Sequence, residues 1–380
     1  MKISNLFKDM HKQTGADTML ESPFAKVSEF LSTNSLALNR ICSGSIFNGI
    51  PQGRITCFYG ENSTGKSLIA YQTAITALKE GKIDRVIVVD SEGGVLTRNF
   101  EDAGIDLSKV TYLPVKSIED CSVKMTQMYD MFDQCHREYL EDPDNNEDIR
   151  ALVILDSFGA LTSEKQLKDA LEKDKMVADQ GVSAKMRNAL IRGLMMKVVT
   201  SNVGLVCINH SYSGPEMFPS KIKNMSGGEG VKYASHLIVQ CEKLLIKSAN
   251  DDFLTGTETS DVDAQKGMYK GSKLKFFTVK NRVVVPGYEA VVFIDFKNGL
   301  SRFDGLVEDS VKFGFLQEVR GGYVCPTYSD KKVTYKELMS NEKIWDTFLK
   351  DFDKKSQEVM KYSNITSREL DKIEEEIEEK

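Results

Sequence analysis

RITCFYGENSTGKS, residues Arg54–Ser67, is the stretch on which the fold turns. Arg54–Tyr59 is a short run of aliphatic and aromatic residues without alternation, the pattern of a strand buried on both faces. Gly60-Glu61-Asn62-Ser63-Thr64-Gly65-Lys66-Ser67 follows at once and fits G-x-x-x-x-G-K-[ST], the phosphate loop. Helix-period sequence then continues from Ser67 to Glu80. Strand, glycine loop and helix are the setting this motif requires. The glycines let backbone N–H groups curl around phosphates, and the following helix aims its positive end at them. Lys66 can reach the β- and γ-phosphates, while the Ser67 hydroxyl suits Mg²⁺. The plain alternative is a glycine turn opening an ordinary helix, and the full motif in its proper setting weighs against it.

Three more stretches read as buried strands: Arg85–Asp90 (RVIVVD), Ala151–Asp156 (ALVILD) and Val203–Asn209 (VGLVCIN). Helix-period segments at Ile118–Tyr139 and Ala184–Val199 separate them, so the expected fold is α/β, a doubly wound and mostly parallel sheet. Leu274–Phe296 is β-rich and extends that sheet with antiparallel strands. The expected organisation is a small helical arm (1–34), a core (35–303) and a small C-terminal appendage (304–380). Asp142–Asp148 (DPDNNED) reads as a surface loop by composition, and two longer polar segments interrupt the core, Ser163–Val182 and Ser211–Gly230. Loops of that length in a compact domain are usually functional or disordered.

The balance of 50 Lys and Arg against 56 Asp and Glu gives the 380 residues a net charge of −6. Hydrophobic residues make up 41%, which supplies a core and excludes a wholly disordered chain. Apolar runs such as Val86-Ile87-Val88-Val89 fall far short of the ~20 residues a bilayer span needs, and MKISNLFKDMHKQTGADT offers no signal-peptide core. The seven cysteines are odd in number and scattered without a C-x-x-C, which predicts neither a disulfide framework nor a zinc site and points to a reducing compartment. A global basic footprint for nucleic acid is absent, so any such binding must be local or cooperative. The final DKIEEEIEEK reads either as a solvated helix end or as a regulatory tail competing with an anionic ligand.

Asp156 closes an apolar strand, the position from which a carboxylate holds Mg²⁺ through water, although many buried strands end this way. Glu92, in VVDSEGG, lies just past a strand's carboxyl end, where an acid can orient and deprotonate an attacking water. It could equally begin a helix or sit in a surface turn. His210 follows VGLVCIN beside the second polar segment and can sense a γ-phosphate; the bland reading is a satisfied histidine at a sheet edge. In that segment Lys221 and Lys223 can hold a nucleic-acid backbone, and Met217 and Phe218 can wedge between bases. Mobile lids over the phosphate site are the alternative.

TNSLALNRICSGSIFNGIPQGRITCFYGENSTGKS, VVDSEGG, LVILDSFGAL, CINHSYSGPEMF and SGGEGVKYASH together resemble, in order and spacing, the successive motifs of the RecA-type recombinases. The INH, the EMF segment and the acidic terminus are most similar to the branch found in T4-like phages, the UvsX-type recombinases. The resemblance implies ATP as substrate with Mg²⁺, and a helical homo-oligomeric filament on single-stranded DNA that pairs with duplex DNA and exchanges strands. It implies a single-strand-binding protein and a loading mediator as partners, and the cytoplasm of a bacterial host as location. It casts Lys66, Glu92 and His210 as catalytic, and the two polar segments as DNA-binding loops. Lys185, Asn188 and Arg192 are then DNA contacts from the helix after the first loop, and Gly227 and Gly228 the pair closing the second. Lys280 and Arg282, joined by Lys232, reach the nucleotide of the neighbouring subunit. Where the family has an aromatic packed on adenine this sequence has Asn99, so Phe100 becomes the expected substitute. Phe24-Ala25 is the candidate docking pair of the arm. The rivals are a hexameric helicase of the same fold and a regulatory ATPase that binds protein partners.

Overall fold

The computed structural model describes residues 3–14, 16, 18–19, 22, 24–172, 181–212, 222–227, 229–244, 271–295 and 299–362. The chain opens with α1 (Ile3–Thr14), β1 (Phe30–Leu31), α2 (Leu36–Ser43) and β2 (Ile50–Pro51). The core follows as β3 (Ile55–Gly60), α3 (Lys66–Lys79), β4 (Arg85–Asp90), α4 (Arg98–Glu101), β5 (Val110–Pro114), α5 (Ile118–Glu141), β6 (Ala151–Asp156), α6 (Glu164–Glu172) and α7 (Val182–Thr200). It continues through β7 (Gly204–Tyr212), β8 (Asn224–Met225), α8 (Glu229–Ala234), β9 (Leu237–Leu244), β10 (Gly271–Asn281), β11 (Glu289–Asp295) and β12 (Gly299–Leu300). The C-terminal part holds α9 (Val307–Lys312), β13 (Gln317–Val319), β14 (Gly322–Cys325), β15 (Ser329–Val333), α10 (Tyr335–Ser340), α11 (Glu342–Asp346) and α12 (Leu349–Met360).

The main sheet runs in the order β12-β11-β10-β9-β3-β7-β6-β4-β5. From β9 to β5 every pairing is parallel, and β10, β11 and β12 add antiparallel strands, as the sequence predicts for Leu274–Phe296. The central strands lack alternation because both faces are covered. Val86 and Val88 of β4 and Leu152 and Ile154 of β6 face the layer built from α2, α3 and the C-terminal helices. Ile87, Val89, Val153 and Leu155 face α5 and α7 on the other side. β5 and β9 are strands that the apolar-run pattern does not pick out, and β7 runs past Asn209 through His210 to Tyr212.

Register places the chemistry. Gly60 of β3 is paired with His210 of β7, and Asp156 of β6 with Asp90 of β4, so four contiguous strands deliver their carboxyl ends to one edge. That crevice is where ligands bind in open α/β sheets.

The C-terminal helices share the core on the α2 face. Trp345 is fully buried, stacks on Phe303 at 4.9 Å and donates its indole N–H to the Leu338 carbonyl at 2.8 Å. The buried Arg40 guanidinium of α2 pairs with Asp309 at 2.7 Å and donates to the Ser356 hydroxyl at 3.1 Å, tying α2 to α9 and α12. On α1, Leu6, Phe7 and Met10 are exposed. No helix among the described residues is long and apolar enough to cross a membrane.

Candidate active site

The phosphate loop is shaped by local backbone preference. Gly65 is the N-cap of α3 with φ +83°, a left-handed conformation that favours glycine, and a Cβ there would push on the end of the Leu274 side chain. Lys66 is buried, donating its ammonium to the Glu61 carbonyl at 2.6 Å, and the Thr64 hydroxyl donates to the same oxygen at 2.8 Å. Burial lowers the Lys66 pKa, opposed by the charges of Asp156, Glu92 and Glu61. The first N–H groups of α3 have no intrahelical acceptor and point to the loop. Beside them Ser67 hydrogen-bonds Asp156, and the Tyr71 hydroxyl donates to Asp156 Oδ2 at 2.6 Å. Burial raises the Asp156 pKa against those two hydrogen bonds. Backbone donors, a cation and a pair of hard oxygens fit a nucleoside triphosphate with Mg²⁺.

Asp90 builds the next segment. Its Oδ1 accepts the N–H groups of Glu92 and Gly93, each at 2.8 Å, and its Oδ2 accepts that of Val95 at 3.2 Å. The turn so fixed presents Glu92. The Ser157 hydroxyl donates to Glu92 Oε1 at 2.5 Å, and His210 Nε2 lies 3.1 Å from both that oxygen and Ser157 Oγ. Burial alone would raise the Glu92 pKa, but the hydrogen bonds from Ser157 and His210 outweigh it and hold the carboxyl below its usual range. Glu92 is therefore a carboxylate at neutral pH, able to orient a water. A cleft of about 730 Å³ is lined by Glu61, Asn62, Glu92, His210 and Ser211. Ser157, Asp90 and Tyr71 are absent from the sequence-derived candidates. Ser157 follows Asp156 directly, but nothing in the spacing reveals that it sits between an acid and a histidine.

Comparison with known proteins accounts for this arrangement. The family model described as RecA N-terminal domain matches residues 1–301. The chain belongs to the RecA family. A "Recombination and repair protein" of Enterobacteria phage T4 is 24% identical over 324 residues, covering 85% of this chain and 73% of that protein. "Protein RecA" of Ureaplasma parvum is 25% identical over 310 residues, covering 79% and 81%, and "Protein RecA" of Aquifex aeolicus is 25% identical over 338 residues, covering 87% and 83%. As a RecA-family member the chain is an ATP-dependent DNA recombinase and a DNA-dependent ATPase.

Within this RecA-family core the two expected DNA loops hang from the site strands. The first begins as α6, residues 173–180 lie outside the described residues, and α7 resumes at Val182. Arg187 holds its entry, donating to the Gly159 carbonyl at 3.2 Å and the Leu161 carbonyl at 2.7 Å. Lys185 and Arg192 are exposed on α7. Asn188 is turned to α8, where its Oδ1 accepts the Gly230 N–H at 2.9 Å. The second loop is closed at its base by β8, whose Met225 and Asn224 pair with Ser211 and Tyr212. The Ser226 N–H donates to the His210 carbonyl at 2.8 Å, and Asn209 Nδ2 to the Ser226 carbonyl at 2.8 Å. Gly227 has φ +88° and faces Phe158. Met217, Phe218, Lys221 and Gly228 lie outside the described residues.

One expectation changes. Phe100 is buried and packs on Tyr71 at 5.7 Å, because α4 rotates it into the core, so it presents no face to an adenine. Lys223 pairs with Glu61 at 2.8 Å. Lys232, Lys280 and Arg282 do gather at one end of α8. Lys232 pairs with Glu229 at 2.8 Å, Lys280 Nζ donates to the Lys232 and Tyr233 carbonyls at 2.5 and 3.1 Å, and Arg282 reaches the Tyr233 carbonyl at 3.3 Å. Burial and the adjacent Arg282 lower the Lys280 pKa to about 8.

Proposed function

We propose that the chain assembles head to tail as a helical filament on single-stranded DNA, with ATP held at the phosphate loop of one subunit and met by Lys280, Arg282 and Lys232 of the next. Lys66, the loop N–H groups and the start of α3 bind the phosphates. Mg²⁺, held by Ser67 and Asp156, would neutralise charge on the transferring phosphoryl group. Glu92 orients the attacking water and accepts its proton, while Ser157 and His210 fix the carboxylate. The observation that carries this reading is the junction at His210. Its ring touches the catalytic acid, and its main chain accepts from the segment that closes the second loop. Hydrolysis and the loop on DNA are thereby joined through one residue. Base pairing rather than side chains reads sequence when duplex DNA is tested. Each subunit supplies only a few cations, and the filament multiplies their effect along the strand despite the net charge of −6. A single-strand-binding protein and a loading mediator complete the partners, in the cytoplasm of a bacterial host.

The test is steady-state ATP hydrolysis with and without single-stranded DNA, alongside electron microscopy of the same mixtures. Stimulated hydrolysis with right-handed filaments is expected. Closed rings, or monomers that never assemble on single-stranded DNA, would overturn the filament reading.

A further inference from the structure

Lys223 and Glu61 are 162 positions apart in sequence, yet their charged groups meet at 2.8 Å. Glu61 belongs to the phosphate loop, and its carbonyl oxygen already holds Lys66 and Thr64. Lys223 belongs to the return of the second loop, one residue before β8. Its main chain is pinned as well. The Lys223 N–H donates to Gln240 Oε1 at 2.8 Å, and that same oxygen accepts the hydroxyl of Tyr59, the residue leading into Gly60, at 2.7 Å. Gln240 in turn donates to Glu242 Oε1 at 2.9 Å, and Glu242 lies 3.9 Å from the Lys223 ammonium. One cation thus stands between two carboxylates at the rim of the phosphate loop. The pair with Glu61 holds the Glu61 carboxyl below its usual pKa.

An ion pair this exposed adds little stability by itself. Its position gives it another use. A triphosphate in the loop brings several negative charges to the Glu61 side of Lys223, and a diphosphate brings fewer. The greater charge would hold Lys223 more firmly to the loop, and the second loop's return with it. We propose that Lys223 is a positioning residue that reads the charge in the phosphate loop through Glu61 and sets the second loop accordingly, and that it is not a ligand of the DNA backbone. This rests on the DNA-filament reading above. By linkage, DNA on the loop then strengthens triphosphate binding by the factor that triphosphate strengthens DNA binding.

The experiment measures affinity for a fluorescent oligothymidylate with a slowly hydrolysed ATP analogue and with ADP, for the full chain and for K223A, E61Q and the double variant. Each series is repeated across salt concentrations. In K223A the ratio of the two affinities should fall at least about fivefold, the lower end of ordinary allosteric couplings. E61Q should produce the same fall, and the double variant should lose no more than either single, since both remove one interaction. The salt slope should stay that of the unmodified chain. Were Lys223 a DNA ligand, K223A would reduce the slope by about 0.7 for each phosphate it no longer neutralises, with the ratio unchanged, and the proposal would be overturned. Additive losses in the double variant would overturn it equally. If the unmodified chain bound no oligothymidylate in either nucleotide state, the filament reading itself would fall and this coupling with it.

Discussion

Glu92 owes its role to three neighbours. Asp90 shapes the turn, and hydrogen bonds from Ser157 and His210 hold the carboxyl below its usual range, so it is ionised at neutral pH. Glu92→Gln keeps the shape and removes the charge, so ATP and DNA binding should persist while turnover falls by about 10²–10⁴-fold, the usual size of a general-base effect. Lys66→Ala should instead abolish nucleotide binding; isothermal titration of both variants separates the two outcomes. A different residue contributes to the acid limb of stability. His236 has a buried Nδ1 without a hydrogen-bond partner among the described residues, and burial together with Arg54, Arg282 and Lys280 lowers its pKa to about 4 from 6.5. The folded state therefore favours the neutral ring. Its contribution is complete above the ordinary histidine value and is lost as pH falls from about 6.5 towards 4. Urea midpoints of the unmodified chain and of His236→Gln should converge or cross over that window, and parallel curves would sink the assignment.

At the level of elements, what could be read from the sequence follows burial. β3, β4, β6 and β7 are covered on both faces and so appear as unbroken apolar runs. β9 is equally central but carries Gln240, Glu242 and Lys243, polar residues placed by the phosphate-loop rim, and the pattern breaks. β5 is an edge strand with Thr111 and Tyr112 exposed, so it lacks the core signature. The site was legible to the same extent. Gly60–Ser67, Asp156, Glu92 and His210 follow strand ends and can be located by counting, whereas Ser157, Tyr71 and the Lys223–Glu61 pair depend on side-chain direction across elements. Phe100 misled because one helical turn decides whether an aromatic faces ligand or core. The joint between α2 and α9 carries its own expectation. Arg40→Ala would leave Asp309 with only the exposed Lys312, 3.6 Å away, and Ser356 short of a donor, costing about 3–5 kcal/mol, as breaking a buried pair does. Chemical denaturation reads that loss, and a change under about 1 kcal/mol would show the pair to be solvated like an ordinary surface one.

The whole molecule is asymmetric in a way that suits heterologous assembly. Its phosphate loop lies at one strand-end edge, and the Lys280–Arg282 group lies at the end of α8 on β10. On the proposed reading each working site is composite. A Lys280→Ala, Arg282→Ala double variant and Glu92→Gln should each be inactive alone. Mixed in equal amounts on DNA they should recover about a quarter of the unmodified rate, because random head-to-tail neighbours rebuild one intact site in four. No recovery on mixing would place those cations in the same subunit's own chemistry. The stacked Trp345 has a separate use. It is the only tryptophan in the chain, shielded from water against Phe303 and far in sequence from the phosphate loop. Its emission is consequently a built-in optical gauge of whether the C-terminal helices stay seated on α2, and it can be followed without any label while nucleotide and DNA come and go.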